Sequence, residues 1–254
     1  MNTYARLTYR NLRANLDFAS LFFELIFPIF FIFVEGPGLG GIAKPVPLGS
    51  IVVPYQLYLA AGAVTLTVIN GGTNAGTQLW YDRKNGMFEQ LLMGPFSRAQ
   101  YIFSIILATL IIGIAGSLIV FLIALPILGA HLQISILGVF YVGAALFLGT
   151  MLFGSFAIAL SVVLRSSETF QIVSTFAFFV FLFTSSVFYP ASQAPKAIQV
   201  ISYGNPLTWT TDMFRAGLFH SFTTTLTLEV ITLAIVAAAV FGIAVLAFRR
   251  IRVQ

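Results

Sequence analysis

The 254-residue chain is 59% hydrophobic and 8% charged, with a mean hydropathy of +0.97 and no cysteine. A water-soluble domain of this size cannot cover its surface with so few charges, and the absence of cysteine excludes a disulfide framework, an iron–sulfur cluster and thiolate metal ligation. Thirteen Lys and Arg against eight Asp and Glu give a net charge of +5. On a soluble chain that balance would raise the question of nucleic acid; here the positions of the basic residues explain it better.

Residues 1–17 are polar but patterned. Arg6, Arg10, Arg13 and Asp17 recur on one stripe and Ala5, Tyr9, Leu12 and Leu16 on another, which predicts an amphipathic helix in the membrane interface with its Arg heads toward anionic lipid and water. A helix that crosses the hydrocarbon core needs about 20 mostly apolar residues. The apolar runs predict six spans, over 18–34, 53–74, 101–128, 134–164, 170–188 and 226–248. They are too long and continuous for the ten-residue alternating strands of an outer-membrane barrel, and helices satisfy their own backbone polar groups in lipid. No cleavable signal is expected, because the opening is polar and the first run is interrupted by Glu24 and Pro28.

Between the first two spans Gly36, Pro37, Gly38, Gly40, Gly41, Pro45 and Pro47 predict an irregular external loop. After the second span, residues 82–98 form a polar stretch. Asn85-Gly86 signals a turn, a two-turn helix with Phe88, Leu91 and Leu92 on one face can follow, and Gly94-Pro95 stops it. Such a helix suits docking into a groove on a cytoplasmic partner. Spans three and four are predicted to form a hairpin around 129–133. Small residues at four-residue spacing (Ala145/Gly149 and Thr150/Gly154, then Ala234, Ala238 and Gly242) mark faces where helix backbones can approach closely. A second polar stretch, 189–225, carries apolar anchors and turn residues but no span of its own. It reads as one or two short re-entrant helices in the outer interface.

Arg6, Arg10, Arg13, Arg83, Lys84, Arg98, Arg165, Arg249, Arg250 and Arg252 share one side of the six spans, leaving Lys44, Lys196 and Arg215 on the other. The positive-inside rule places that side, with both termini, in the cytoplasm. The fold class is therefore an all-α polytopic membrane protein with six transmembrane helices. It forms one domain over 1–254, with an N-terminal interfacial helix (1–17), a short cytoplasmic coupling helix within 82–98 and short external re-entrant helices (189–225) before the last span.

The stretch 82–98 resembles the cytoplasmic loop of ABC-2 type transporter permeases. There an acidic residue and Arg precede Gly, followed by Glu, a Leu pair, Pro and a Ser-Arg ending. Asp82, Arg83, Gly86, Glu89, Gln90, Leu91, Leu92, Pro95, Ser97 and Arg98 fit the pattern, while Met87 and Gly94 stand where threonine is common. The segment with Tyr189-Pro190, Asn205-Pro206-Leu207-Thr208-Trp209 and Arg215 is similar to the one before the last helix of the same family, so the resemblance covers essentially the whole chain. It implies the membrane subunit of an exporter in the cell membrane, paired with a second copy of itself or a related permease. A separate ABC ATPase subunit, which holds the ATP and Mg, would dock on Asp82, Arg83 and Gly86 through Leu92, Pro95 and Arg98, with Met87 and Phe88 in the contact. No cofactor on this chain is implied. In accord, the Gly-Lys of a phosphate-binding loop never occurs.

Other candidates have plainer readings beside the functional ones. Glu24, within the first span, is either a proton or substrate site or a side chain near the cytoplasmic third that reaches the interface or bonds a neighbouring helix. Among the 27 Phe, those of span five, with Phe176 and Phe179 foremost, either line a path for an apolar or amphipathic substrate or pack against lipid and protein. His131 and His220 lack clustered acidic partners, so metal ligation or acid–base catalysis is not expected. Glu229 is read as facing headgroups, and Arg165 and Glu168 as a solvated turn. The rival function is a self-sufficient secondary transporter or channel, which needs ion-coupling groups in the membrane. A membrane-embedded enzyme finds no paired carboxylates or His cluster.

Overall fold

The computed structural model describes residues 3–15, 18–49, 51–87, 97–128, 132–133, 135–164 and 166–249. Eleven α-helices are described: α1 (Thr3–Asn15), α2 (Phe18–Phe30), α3 (Gly36–Gly40), α4 (Tyr55–Val64), α5 (Leu66–Lys84), α6 (Arg98–Leu128), α7 (Ile136–Val163), α8 (Ser167–Phe183), α9 (Lys196–Tyr203), α10 (Pro206–Phe219) and α11 (Thr224–Arg249). Among the described residues α6, α7 and α11 are long and apolar enough to cross a membrane, while α8 is apolar but shorter, over Ser167–Phe183.

Two of the predicted spans are broken. Pro28 removes a donor from α2, and the ladder loosens into a π-helical turn over Phe31–Glu35 before α3 resumes it. The Gly-Pro segment is therefore not wholly irregular: its first part is helical, with Pro37 in the first turn where a missing N–H is harmless. Its second part closes a two-stranded antiparallel ribbon, β1 (Val46–Leu48) with β2 (Ile51–Val53), in which Val46 faces Val53. The second span divides at Thr65, whose hydroxyl donates to Gly62 O at 2.7 Å. Helix α5 then runs ten residues past the predicted end at 74, because Asn74, Gln78 and Asp82 find polar partners instead of lipid.

The fifth span stops at Phe183 and not at 188. Thr184 and Ser185 turn their hydroxyls back onto Val180 O and Leu182 O, and Asn205 Nδ2 donates to Phe181 O at 2.7 Å. Hydroxyl and amide groups thus take the last-turn carbonyls that another turn of helix would have used.

Helix α7 is the central pillar. A Cβ on Gly72 of α5 would stand 2.7 Å from the Phe153 backbone, and one on Gly76 would stand 2.6 Å from Ala157 O. Gly217 of α10 meets Gly138 of α7 in the same way, its added Cβ falling 2.6 Å from Gly138 O. These are backbone-to-backbone crossings that only a residue without a side chain permits. The small residues Ala145, Gly149, Thr150 and Gly154 are buried there as the spacing predicts. The row on α11 is different. Its inward face is Leu226, Leu233, Ala237, Ala244 and Phe248, whereas Ala238 is exposed and nothing approaches Gly242.

Candidate functional site

The described flanks of the loop 82–98 are each clamped to another helix. On α5, Asp82 is buried and takes a bidentate pair from Arg10 of α1, with Nη1 at 2.7 Å from Oδ2 and Nη2 on Oδ1. The Tyr101 hydroxyl of α6 donates to the same Oδ2. Burial by itself would lower the Arg10 guanidinium; the Asp82 carboxylate offsets this and holds it above its ordinary value. Deeper on the same faces, Gln78 Nε2 donates to Asn11 Oδ1 at 2.8 Å, Asn11 Nδ2 donates to Ser104 Oγ at 2.9 Å, and Asn15 bonds Gln78. Arg83 reaches Ser161 O at the end of α7. Arg98 donates to Phe248 O at 3.0 Å near the end of α11, where the Phe248 ring stacks on Tyr101.

Asp82, Arg83 and Arg98 therefore act within the protein, as ties at the root of the loop. Gly86 turns the chain at φ +68°, which favours glycine, and Met87 is exposed. Phe88, Glu89, Gln90, Leu91, Leu92 and Pro95 lie outside the described residues. The spacing analysis missed Arg10, Asn11, Gln78 and Tyr101. The face of α1 turned into the protein is Leu7, Thr8 and Asn11 with Arg10 beside it, while Ala5 and Tyr9 of the expected apolar stripe are exposed. The available signal was Asn11 and Asn15, amides at i, i+4 that a lipid-facing stripe has no use for.

At the other end of the bundle Arg215 is 1% exposed and organises the segment 184–219. Its Nη2 donates to Tyr58 O at 2.9 Å and to Val187 O at 2.8 Å, Nη1 to Ser186 O at 2.8 Å, and the guanidinium lies 3.4 Å from the centroid of the Tyr58 ring. Gly62 leaves the space: a Cβ there would collide with the guanidinium and stand 2.8 Å from Val187 O. Asn205 caps α10 through the Leu207 amide, Pro206 follows in its first turn, and Trp209 Nε1 donates to Tyr203 O. The Tyr189 hydroxyl reaches back to Phe183 O, and Pro190 lines an adjacent cavity. That cavity, of about 290 Å³, also presents Tyr58, Ser186, Asp212, Arg215 and Glu229. Burial raises the Asp212 carboxyl, while Arg215 and the Ser186 hydroxyl oppose the shift; a third of the side chain still opens to the cavity. Glu229 is thus turned to this cavity and not to headgroups.

Glu24 is 4% exposed, between α5 and α6. Phe176 and Phe179 are both exposed on the outer face of α8, with Phe179 stacked on Phe183. His220 closes α10 in a left-handed conformation beside Ser135, and His131 and Arg165 lie outside the described residues. Among the described residues no group of three His, Asp or Glu side chains could hold a metal.

The sequence profile of the ABC-2 type transporter family matches residues 4–219. Two curated relatives, from Porphyra purpurea and Pyropia yezoensis, carry the provisional name transport permease ycf38. The first is 27% identical over 172 residues, 67% of this chain and 58% of the relative; the second is 27% identical over 166 residues, 65% and 56%. The chain thus spans less than two thirds of the length of the curated relatives it matches.

Proposed function

The chain belongs to the ABC-2 type transporter family, and on that premise we propose that it is the membrane-spanning subunit of an ATP-driven exporter. It crosses the membrane six times with both ends in the cytoplasm, works as a pair with itself or a related permease, and is driven by a separate ATPase subunit. The observation that carries this reading is the clamping at the root of residues 82–98. Asp82, Arg83 and Arg98 tie the two ends of the loop to α1, α6, α7 and α11. A load applied to the loop by a partner would therefore reach four helices at once instead of bending a tether. Residues 86–95 would make the contact, and the ATP and Mg would belong to the partner.

The exposed phenylalanine face of α8, with Phe176 and Phe179, offers the surface along which a path between two copies would form. An apolar groove of about 310 Å³, lined by Ile114, Phe121, Val142, Leu146 and Phe214, supports a hydrophobic or amphipathic cargo such as a drug, lipid or glycan-linked molecule. The segment Tyr189 to Arg215 would gate its external end.

The test is reconstitution. The chain is purified with any bound ATPase subunit, placed in liposomes, and assayed for ATP-dependent movement of a fluorescent amphipath. Transport that requires the ATPase and ATP supports the proposal. Transport by the isolated chain under an ion gradient alone would favour a self-sufficient secondary transporter or channel and overturn it.

A further inference from the structure

We propose that Glu24 is an intramembrane proton-binding site, served from the loop end of the bundle by a polar stripe on α5. Glu24 is 4% exposed, and among the described residues its Oε1 has no hydrogen-bond partner. Oε2 receives one long bond, from Asn74 Nδ2 at 3.4 Å. Space around the carboxyl comes from two glycines on the facing helices. A Cβ built on Gly71 of α5 would stand 3.7 Å from Oε1, and one on Gly116 of α6 would stand 3.8 Å from it. The Thr109 side chain of α6 packs its methyl against Gly71, and its hydroxyl is a second buried polar atom with no partner among the described residues.

Among the described residues no charged group neutralises this carboxyl. The described charged side chains on the elements around it are Glu35 after α2, Asp82, Arg83 and Lys84 on α5, Arg98 on α6 and Glu168 on α8, with none on α4, and none acts on Glu24. A lone carboxylate in so dry a place is strongly disfavoured, whereas the neutral acid is tolerated. A proton is the one cation that fits without further ligands.

The stripe supplies the route. Asn74, Gln78 and Asp82 recur every four residues on α5, so they stand one above another over about 12 Å of helix. Asn74 touches Glu24, Gln78 meets Asn11 and Asn15, and Asp82 meets Arg10 and Tyr101 at the loop root. The inference does not rest on any cargo or ATPase partner.

The test is infrared difference spectroscopy of the full chain in lipid. A protonated carboxylic acid C=O band is expected at neutral pH, absent from Glu24→Gln, moved in Glu24→Asp, and lost reversibly on alkalinisation. In Asn74→Leu, which interrupts the stripe, the band stays but its loss after a pH jump is delayed. Two results would overturn the proposal: wild-type protein and Glu24→Gln sharing the same acid bands at neutral pH, or loss of the Glu24 band on adding sodium at fixed pH, which would make this an alkali-cation site. Because the readout needs no transport, its failure is separable from failure of the exporter reading.

Discussion

Replacing Arg215 by Met keeps much of the side-chain volume and removes the guanidinium. Three carbonyls lose a donor: Tyr58 O, Ser186 O and Val187 O. Ser186 O keeps the Tyr58 hydroxyl at 2.6 Å, so the damage concentrates on Val187 and the turn that ends α8. The Asp212 carboxyl, 3.5 Å from Nη1, also loses its only ion-pair partner among the described residues. Hydrogen bonds from a charged donor contribute about 1.5–3 kcal/mol each, so the two lost at Tyr58 O and Val187 O cost about 3–6 kcal/mol. For a chain of this size each kcal/mol moves the midpoint by roughly 2–4 °C, which gives a fall of roughly 6–24 °C. The measurement is thermal unfolding in detergent, followed by far-ultraviolet circular dichroism and by tryptophan emission, since Trp209 sits on the affected helix. Arg215→Lys should recover only part of the loss, because an ammonium on a flexible stem cannot reproduce the planar fork. An Arg215→Met protein that melts with wild type would refute the reasoning, for it would mean these bonds form equally well with water.

Gly76→Ala places a methyl 2.6 Å from Ala157 O and should cost about 1–3 kcal/mol; Gly143→Ala, with nothing within 4 Å, should be neutral or raise stability by about 0.5–1 kcal/mol, and equal effects in denaturation midpoints would count against the close crossing. In a double-mutant cycle, Arg10→Ala and Asp82→Ala should couple by about 0.5–3 kcal/mol in unfolding free energy, whereas independent effects would deny the bidentate pair. Glu89→Arg should leave membrane insertion unchanged but abolish ATP-dependent transport; normal transport and ATPase stimulation at wild-type expression would contradict docking at residues 86–95. The chain has no native cysteine, so single cysteines at Met87 and Ser192 can report sidedness directly. An impermeant maleimide on intact cells should label the second and spare the first.

Sequence periodicity located the long apolar helices to within a few residues, because α6, α7 and α11 depend on nothing but sustained hydrophobicity. It failed where polar atoms decide a boundary. The end of α8 is set by Thr184, Ser185 and a distant Asn205, and the length of α5 by Asn11 and Arg10 on another helix. Neither partner is visible in a local window. Within the motif 82–98, Asp82 and Arg98 turn to partners inside the protein, a placement the sequence could not show, since an exposed charge and a charge neutralised across 72 residues look alike in one dimension. Arg215 was singled out as part of a gate, but its carbonyl acceptors, supplied by the break after α8 and by α4, emerge only in three dimensions. The α1 stripe misled because four arginines and acids at helical spacing suggested headgroups, when one of them had a buried carboxylate waiting.

The glycine crossings on α7 have a mechanical consequence. Helices that touch backbone to backbone at Gly72, Gly76 and the Gly138–Gly217 contact have no cushion of side chains to shear, so sliding at these points meets direct backbone resistance. Under the exporter proposal, a load at the Asp82 end of α5 would pass through α7 to α10 and the Arg215 knot at the far surface, with the two glycine seams as its bearing points.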